Sequence, residues 1–169
     1  IELSGKEIFH FELGEPSPIT PKKITDEAKR LININLPGYT PSNGIYELRR
    51  KITEYYLKKK ITIRAEQVFI TTGSSGAFLL SFLTCFDAGD KVAIFNPSYP
   101  AYRNILKSLN LEVVEIESSP EDNFNIDIKK IKLQKNLKGL IVSSPNNPNG
   151  QVFSKKDLEF IYSYCEENN

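Results

Sequence analysis

The sequence contains no methionine and no tryptophan, and it has only two cysteines and one histidine among its 169 residues. Cys85 and Cys165 fall in apolar helical patterns, so we expect buried free thiols and not a disulfide. His10 has no cysteine or histidine companion at metal-ligand spacing, which argues against a metal site. Because the chain starts at Ile1 and lacks methionine, we expect it to be a piece of a longer polypeptide.

Neither sign of charge is in excess, and no long apolar run is present. Lys and Arg total 22 against 21 Asp and Glu, for a net charge of +1, which excludes a broad basic surface for nucleic acid or acidic lipid. No apolar stretch reaches the roughly 18 residues of a membrane span, and no signal-peptide layout opens the chain. We therefore expect a cytoplasmic protein that binds neither nucleic acid nor membrane.

Short apolar runs alternate with helical periodicities along most of the chain. β-Branched and aromatic runs predict strands at residues 68–71, 91–95, 111–116 and 139–143. This alternation predicts an α/β fold, a three-layer sandwich around a largely parallel sheet. Two helices are predicted ahead of it, the first capped by Thr20 with Pro21 at its first position. We divide the chain into residues 1–40, an arm with a helix and loop, and residues 41–169.

Residues 72–76, Thr-Gly-Ser-Ser-Gly, separate the first predicted strand from an apolar helix. A helix that starts at a Gly/Ser turn presents unpaired backbone N–H groups and its positive dipole end, which together bind anions such as phosphate. The ordinary alternative is a strand-to-helix connection with serine as the N-cap. The pattern matches neither a P-loop nor a dinucleotide fingerprint, so a phosphate cradle of another kind remains.

Three loops follow predicted strands, at residues 72–76, 96–99 and 144–150, and we expect them to converge on one crevice at the carboxyl edge of the sheet. Tyr99 offers an aromatic face, and Asn146 and Asn147 lie between two prolines that would hold their amides in place. Singly, Tyr99 has an ordinary explanation as a core residue and the Asn-Pro run as a turn. Together with the phosphate cradle they suit a phosphorylated aromatic ligand.

Six short motifs follow one another along the chain. They are Gly-Glu-Pro at 14–16, Tyr-Thr-Pro-Ser-Asn-Gly at 39–44, Glu-Leu-Arg at 47–49, Thr-Gly-Ser-Ser-Gly-Ala at 72–77, Asn-Pro-Ser-Tyr-Pro-Ala-Tyr at 96–102 and Pro-Asn-Asn-Pro-Asn-Gly at 145–150. In sequence and order they resemble the motifs of class I/II aminotransferases, the fold-type I enzymes that use pyridoxal 5'-phosphate (PLP). The resemblance covers essentially the whole sequence, which would make the chain the N-terminal portion of such an enzyme.

The resemblance implies a role for each matching residue. Ser74 and Ser75 match the turn that holds the cofactor phosphate. Tyr99 matches the ring that stacks on the pyridine, and Asn147 matches the asparagine that donates to the ring's phenolic oxygen. Tyr39 matches a tyrosine that reaches the partner's cofactor phosphate across a homodimer interface.

The resemblance also implies the substrates and the domain layout. Gly14 matches a glycine that lies against the carboxylate of the substrate, and the substrates of the family are an amino acid and a 2-oxo acid. Residues 1–40 would belong to the small domain and the dimer contact, and residues 41–169 to the first, truncated part of the large PLP-binding domain. The sequence departs from the family pattern at Asn149, where threonine is common.

The family's Schiff-base lysine, the aspartate that pairs with the pyridinium nitrogen and two anion-binding arginines come later than residue 169. We therefore assign no catalytic residue and expect this fragment alone not to transaminate. Other interpretations remain open: a different fold-type I PLP enzyme, of the C–S lyase or cyclopropane-forming kind, an aminotransferase-like sensing domain of a transcription regulator, or a degenerate fragment without activity.

Overall fold

The structure is a computed structural model that describes residues 5, 7–9, 14, 19–32, 34, 38–125 and 127–168. It divides into two compact units, residues 1–42 and residues 43–169. Among its described residues, the first unit contains one helix, α1 (Lys22–Ile32), which begins one residue after Pro21. The predicted apolar stripe of α1 is present, but none of its residues is buried.

The second unit contains the sheet. Its helices and strands, in chain order, are α2 (Tyr46–Lys58), α3 (Gly73–Cys85), β1 (Lys91–Asn96), α4 (Pro100–Ser108), β2 (Glu112–Glu117), β3 (Leu137–Ile141) and α5 (Lys155–Asn168). Short 3-10 turns lie at Ala65–Gln67, Pro120–Asp122 and Ile128–Leu133.

The three strands form a parallel sheet in the order β2-β1-β3. β1 is central, and its residues 92–95 are all buried, as expected for a parallel strand covered on both faces. Val92 and Ile94 pack on one face with α3 and α4, whereas Ala93 and Phe95 pack on the other with α5. The α/β three-layer prediction is confirmed, with a sheet of three strands among the described residues.

The predicted strand at residues 68–71 is not part of this sheet. Its backbone is extended at Val68, and one backbone bond ties it elsewhere, from the N–H of Ile70 to the carbonyl oxygen of Asn43 (3.2 Å). A strand exists only as part of a hydrogen-bonded ladder, and no described strand pairs with this segment. The prediction of a strand here is wrong for the structure as described.

Several predictions of burial and helix type also need correction. The helix after residue 76 was expected to be buried, but within α3 only Phe82 is, and Leu80 and Leu83 are more than half exposed. Both cysteines are free, as predicted, yet exposed. Both errors have one cause: an apolar pattern identifies a face that can be buried, and three strands cover only part of these helices.

Two predicted elements differ in detail. The helical spacing of Leu158, Ile161, Tyr162 and Cys165 predicts that these residues form the inner face of the last helix, but Tyr162 is 66% exposed, and Ile161 is the buried residue of α5. The sequence at residues 126–133 predicts a short helix, whereas the structure has a 3-10 turn, Ile128–Leu133, with Ile126 outside the described residues. Among the helices of the described residues, none has both the length and the apolar character needed to cross a bilayer.

Candidate active site at the carboxyl edge of the sheet

The first loop ends where helix α3 begins, at Gly73. Gly73 has a positive φ of 69°, and nothing lies within 4 Å of the position that a Cβ would occupy there. The N-cap residue, Thr72, makes no side-chain capping hydrogen bond, and the Thr71 hydroxyl donates instead to the carbonyl oxygen of Gly73 (2.8 Å). The N–H groups of the first helical turn are therefore left without a side-chain cap, and Ser74 and Ser75 are exposed beside them.

The turn at residues 72–76 becomes part of the helix earlier than the sequence pattern predicts. A Cβ added to Gly76 would make only an ordinary van der Waals contact, 3.4 Å from Cβ of Thr71. The sequence prediction placed a break at residues 73–76 followed by a helix. Instead, the helix starts at Gly73 and includes both serines, so their backbone N–H groups lie in its positive first turn.

The second loop follows β1 and carries Tyr99 into α4. Tyr99 is the N-cap residue of α4, with Pro100 at the first helical position. Its half-buried ring lies edge-on to the ring of Tyr102, with 5.6 Å between centroids, and Tyr102 in turn contacts Phe78 of α3 at 4.9 Å. The ring of Tyr99 is therefore held by an aromatic contact on one side, and these two edge-to-face contacts connect α4 to α3.

The third loop, residues 144–150, is joined to the second by Asn146. The Asn146 side chain is 7% exposed and donates from Nδ2 to the carbonyl oxygen of Pro97 (2.8 Å) and to Oδ1 of Asn149 (2.8 Å). Asn147, by contrast, is exposed and makes no hydrogen bond from its amide to the described residues. The peptide bonds before Pro97, Pro145 and Pro148 are cis.

The structure therefore brings two of the three predicted loops into direct contact. The loop at residues 72–76 is linked to them through the stack of aromatic rings between α3 and α4, and its convergence on the same crevice stays a prediction. Gly14 and Tyr39 belong to the unit of residues 1–42. Tyr39 is 99% exposed within the structure, and most of the Gly-Glu-Pro motif after Gly14 lies outside the described residues.

A polar cluster borders the second loop on the β2 side. The Arg103 guanidinium pairs with the Glu115 carboxylate, and Nδ2 of Asn96 donates to Glu115 (2.9 Å) and to Glu117 (3.0 Å). These contacts tie the carboxyl end of β1 to the neighbouring strand. They were not predicted, because nothing in the sequence of β2 marks Glu115 and Glu117 as partners of Asn96 and Arg103.

Sequence reasoning named Asn147 but assigned no separate role to Asn146 or Asn149. The signal that could have found Asn146 is its place next to Asn147 between Pro145 and Pro148, and nothing comparable marks Asn149, which follows Pro148. The arrangement as a whole fits a group with a phosphate and an aromatic ring. The helix start is uncapped, the tyrosine ring lies at the next strand end, and the Asn147 amide has no intramolecular partner among the described residues.

Comparison with known proteins identifies the family. The family described as aminotransferase class I and II matches residues 6–169. The chain is 41% identical over 162 residues to valine–pyruvate aminotransferase of Mycobacterium tuberculosis. This alignment covers 95% of this chain and 42% of that protein. It is 37% identical to (5-formylfuran-3-yl)methyl phosphate transaminase of Methanocaldococcus jannaschii, covering 96% of this chain and 42% of that one.

Solved structures agree with this assignment. Alanine aminotransferase from Pyrococcus furiosus superposes on 99% of this chain and 44% of its own, with a TM-score of 0.89 at 28% identity. The parallel α/β sheet, with two of its strand-end loops in contact, fits this class of protein. The chain belongs to the class I and II aminotransferase family, and it spans less than half the length of the relatives that it matches.

Proposed function

We propose that this chain supplies part of the cofactor site of a PLP-dependent aminotransferase, which moves an amino group between an amino acid and a 2-oxo acid. The observation that carries the proposal is the hydrogen bond from Asn146 to Pro97, because it joins the loop of Asn147 to the loop of Tyr99. Membership of a family named for aminotransfer supports the reaction class. The named relatives act on different compounds, so the substrate is left open.

The first turn of α3 would hold the cofactor phosphate. Its backbone N–H groups have no side-chain cap, and the Ser74 and Ser75 hydroxyls add donors beside them. A dianionic phosphate at this position gains both hydrogen bonds and the favourable end of the helix dipole.

The other two loops would hold the ring. Tyr99 would lie against one face of the pyridine, and Asn147 would donate its amide N–H to the phenolic oxygen. PLP, when bound, supplies an electron sink for the bonds to the α-carbon of an amino acid. The residues of this chain would bind and orient that group, and the proton-transferring lysine would come from the rest of the polypeptide.

Two further assignments complete the proposal for the whole protein. Tyr39 would reach the cofactor phosphate of a partner subunit in a homodimer, and its full exposure within this chain leaves it available for such a contact. Gly14 would lie against the substrate carboxylate, where an added side chain would take up the space.

The phosphate cradle can be tested by a substitution that separates binding from folding. In the full polypeptide that carries this sequence, Ser75→Asp places a carboxylate in the first turn of α3. A carboxylate there favours the helix itself but repels a bound phosphate. We expect the thermal midpoint to stay the same or rise, while PLP affinity falls at least tenfold.

The matched control is Tyr162→Ala on α5, whose side chain is 66% exposed and belongs to none of the three loops. PLP affinity and aminotransfer to a 2-oxo acid should both survive this change. The proposal fails if wild-type protein takes up no PLP, or if Ser75→Asp binds PLP as tightly as wild type does.

A further inference from the structure

Asn146 makes more hydrogen bonds than any neighbour in its loop. Its backbone N–H donates to the carbonyl oxygen of Gln151 (2.8 Å), and its own carbonyl oxygen accepts from the N–H of Gly150 (2.8 Å). Its side-chain Nδ2 donates to Pro97 and to Asn149, both at 2.8 Å. Both hydrogens of the amide and both backbone groups are therefore committed.

The chemistry of the partners allows only one orientation of each amide. The carbonyl oxygen of Pro97 accepts and cannot donate, so the nitrogen of the Asn146 amide must face it. Oδ1 of Asn149 receives a second bond from the backbone N–H of Gln151 (3.1 Å), so the oxygen of that amide must face both donors. The Asn149 Nδ2 is buried with no partner among the described residues, so this amide takes part in the turn through its acceptor oxygen alone.

The result is a closed turn whose tip is residues 147–149. The base of the turn is also anchored below, because Oγ of Ser144 accepts from the N–H of Phe153 (3.2 Å), and the Phe153 ring packs against Phe95 of β1 at 5.1 Å. Asn147 is at the tip and has no hydrogen bond of its own within the described residues. Its position therefore depends on the bonds of the residue before it.

We propose that Asn146 is a positioning residue that acts through Asn147: by bonding Pro97 and Asn149 it fixes where the Asn147 amide points. This inference rests on the proposed function, in which Asn147 donates to the phenolic oxygen of PLP. Without the two side-chain bonds of Asn146, the third loop is no longer tied to the second at this point. The distance between the Asn147 amide and the ring of Tyr99 then varies.

The test measures two ligands in the full polypeptide that carries this sequence: PLP, and an analogue that lacks the ring hydroxyl but keeps the phosphate. We expect Asn146→Ala to lower PLP affinity roughly tenfold, since a net hydrogen bond corresponds to about one factor of ten in binding. Affinity for the analogue should change little. The pH at which the absorption of bound PLP changes should rise, because a donor to the phenolate oxygen favours its deprotonated form.

A double-mutant cycle separates positioning from general destabilisation. Asn147→Ala should give the same rise in the pH midpoint, and Asn146→Ala combined with Asn147→Ala should give no more than Asn147→Ala alone. The matched control is Gln151→Ala, next to the third loop. It removes the side-chain hydrogen bond to the carbonyl oxygen of Asn123, 28 residues away, but leaves the backbone bonds of Gln151 to Asn146 and Asn149 in place. Its pH midpoint should equal that of wild type.

Four outcomes of these experiments overturn the proposal. The affinities for both ligands could fall equally in Asn146→Ala, or the effects of the two substitutions could add, and each result would make Asn146 a structural residue only. If wild type binds PLP but no variant shifts the pH midpoint of its absorption, the positioning role is wrong while the proposed function stands. If wild type binds no PLP, the proposed function itself fails, and the positioning role fails with it.

A milder variant covers the case in which Asn146→Ala does not fold. Asn149→Ala removes one acceptor of Asn146 but leaves the bond to Pro97, so the two loops stay joined. We expect a rise in the pH midpoint in the same direction and of smaller size. A folded Asn149→Ala protein with a wild-type midpoint would contradict the proposal.

Discussion

The guanidinium of Arg49 donates from Nη1 to the backbone carbonyl oxygen of Ala65, 2.8 Å away and 16 residues later in the chain. Its Nε donates to the carbonyl oxygen of Gly44 (3.1 Å). Arg49 thus connects the loop before α2 to the 3-10 turn that leads towards α3. The spacing of Ile45, Leu48, Ile52 and Tyr55 predicts an apolar helix face that leaves Arg49 mostly outside it. The residue is nevertheless only 8% exposed.

Removal of this side chain should be costly. Arg49→Ala leaves the carbonyl oxygens of the half-buried Gly44 and Ala65 without these donors, and we expect the free energy of unfolding to fall by about 2–3 kcal/mol. The neighbouring Arg50→Ala is the matched control, because Arg50 is exposed and pairs only with Glu54 on the helix surface. Denaturant melts should show a loss of about 0.5 kcal/mol or less for the control. Equal losses for the two variants would contradict this interpretation of Arg49.

Gly44 and Gly89 allow a matched test of close packing. Both have positive φ angles, 94° and 91°. A Cβ on Gly44 would lie 2.4 Å from Cγ1 of Ile70, whereas nothing lies within 4 Å of one on Gly89. Gly89→Ala should cost about 1–2 kcal/mol through the backbone alone. Gly44→Ala should cost about 1–3 kcal/mol more, because the clash is added.

The measurement is the difference in unfolding free energy between the two alanine variants in the same denaturant series. Similar losses at both positions would mean that Ile70 moves away without cost. In that case the contact between the segment at residues 68–71 and Gly44 does not hold that segment in place.

The pH dependence of α2 follows from Glu54. A hydrogen bond from Lys51, together with the charges of Arg50, Lys51 and Lys58, lowers the pKa of this carboxyl below its ordinary value of 4.5. A pKa that is lower in the folded state contributes stability above the unfolded pKa, and this contribution is lost as the pH falls through the folded pKa.

Glu54→Gln should therefore be less stable than wild type near neutral pH, and the difference should shrink below about pH 4. Melts of both proteins from pH 3 to pH 7 test this expectation, and added salt should reduce the difference at neutral pH. A difference that grows on acidification would contradict the sign.

The chain expressed alone should associate. Within the part of the chain that the structure describes, β3 pairs with β1 on one side and with no strand on the other, and Leu80 and Leu83 on α3 are 52% and 58% exposed. An unpaired strand edge and an uncovered apolar helix face both promote contacts between chains. Light scattering should show species larger than a monomer, and Leu80→Gln with Leu83→Gln should reduce them.

Tyr162→Gln on α5 is the control for this prediction, since it also removes an exposed apolar side chain but lies on a different helix. It should leave the association nearly unchanged. A wild-type chain that runs as a monodisperse monomer with a cooperative melt would contradict the prediction outright.

Local patterns predicted the elements that form the middle of the fold. The sequence predicts a strand at residues 91–95, a turn at residues 87–90 and a capping box at Ser154 and Asp157, and the structure contains each of them. In that box the N–H of Ser154 donates to the Asp157 carboxylate (2.9 Å), and the N–H of Asp157 donates back to the Ser154 hydroxyl (3.2 Å). The turn and the box depend on residues within four positions of one another, so the sequence specifies them directly, whereas the strand also needs its partners β2 and β3.

The segment at residues 68–71 shows where local pattern is insufficient. It has the composition of a strand, but a strand also needs a partner from elsewhere in the chain, and none of the described strands provides one. Arg49 shows the same limit for burial. Its place outside the apolar face of the predicted helix predicts exposure, but hydrogen bonds to the carbonyl oxygens of Gly44 and of Ala65, 16 residues away, make a buried position favourable.

Local sequence patterns specify most of the elements, the aminotransferase motifs and the residues that stand at each strand end. Which of those residues meet depends on the tertiary structure. Asn146 and Pro97 are 49 positions apart, and their hydrogen bond exists because parallel strands bring their carboxyl ends to one edge. The two adjacent amides then differ in burial: Asn146 uses its side-chain hydrogen bonds within the protein, whereas the exposed Asn147 amide makes none to the described residues and is the donor that we propose for the ligand.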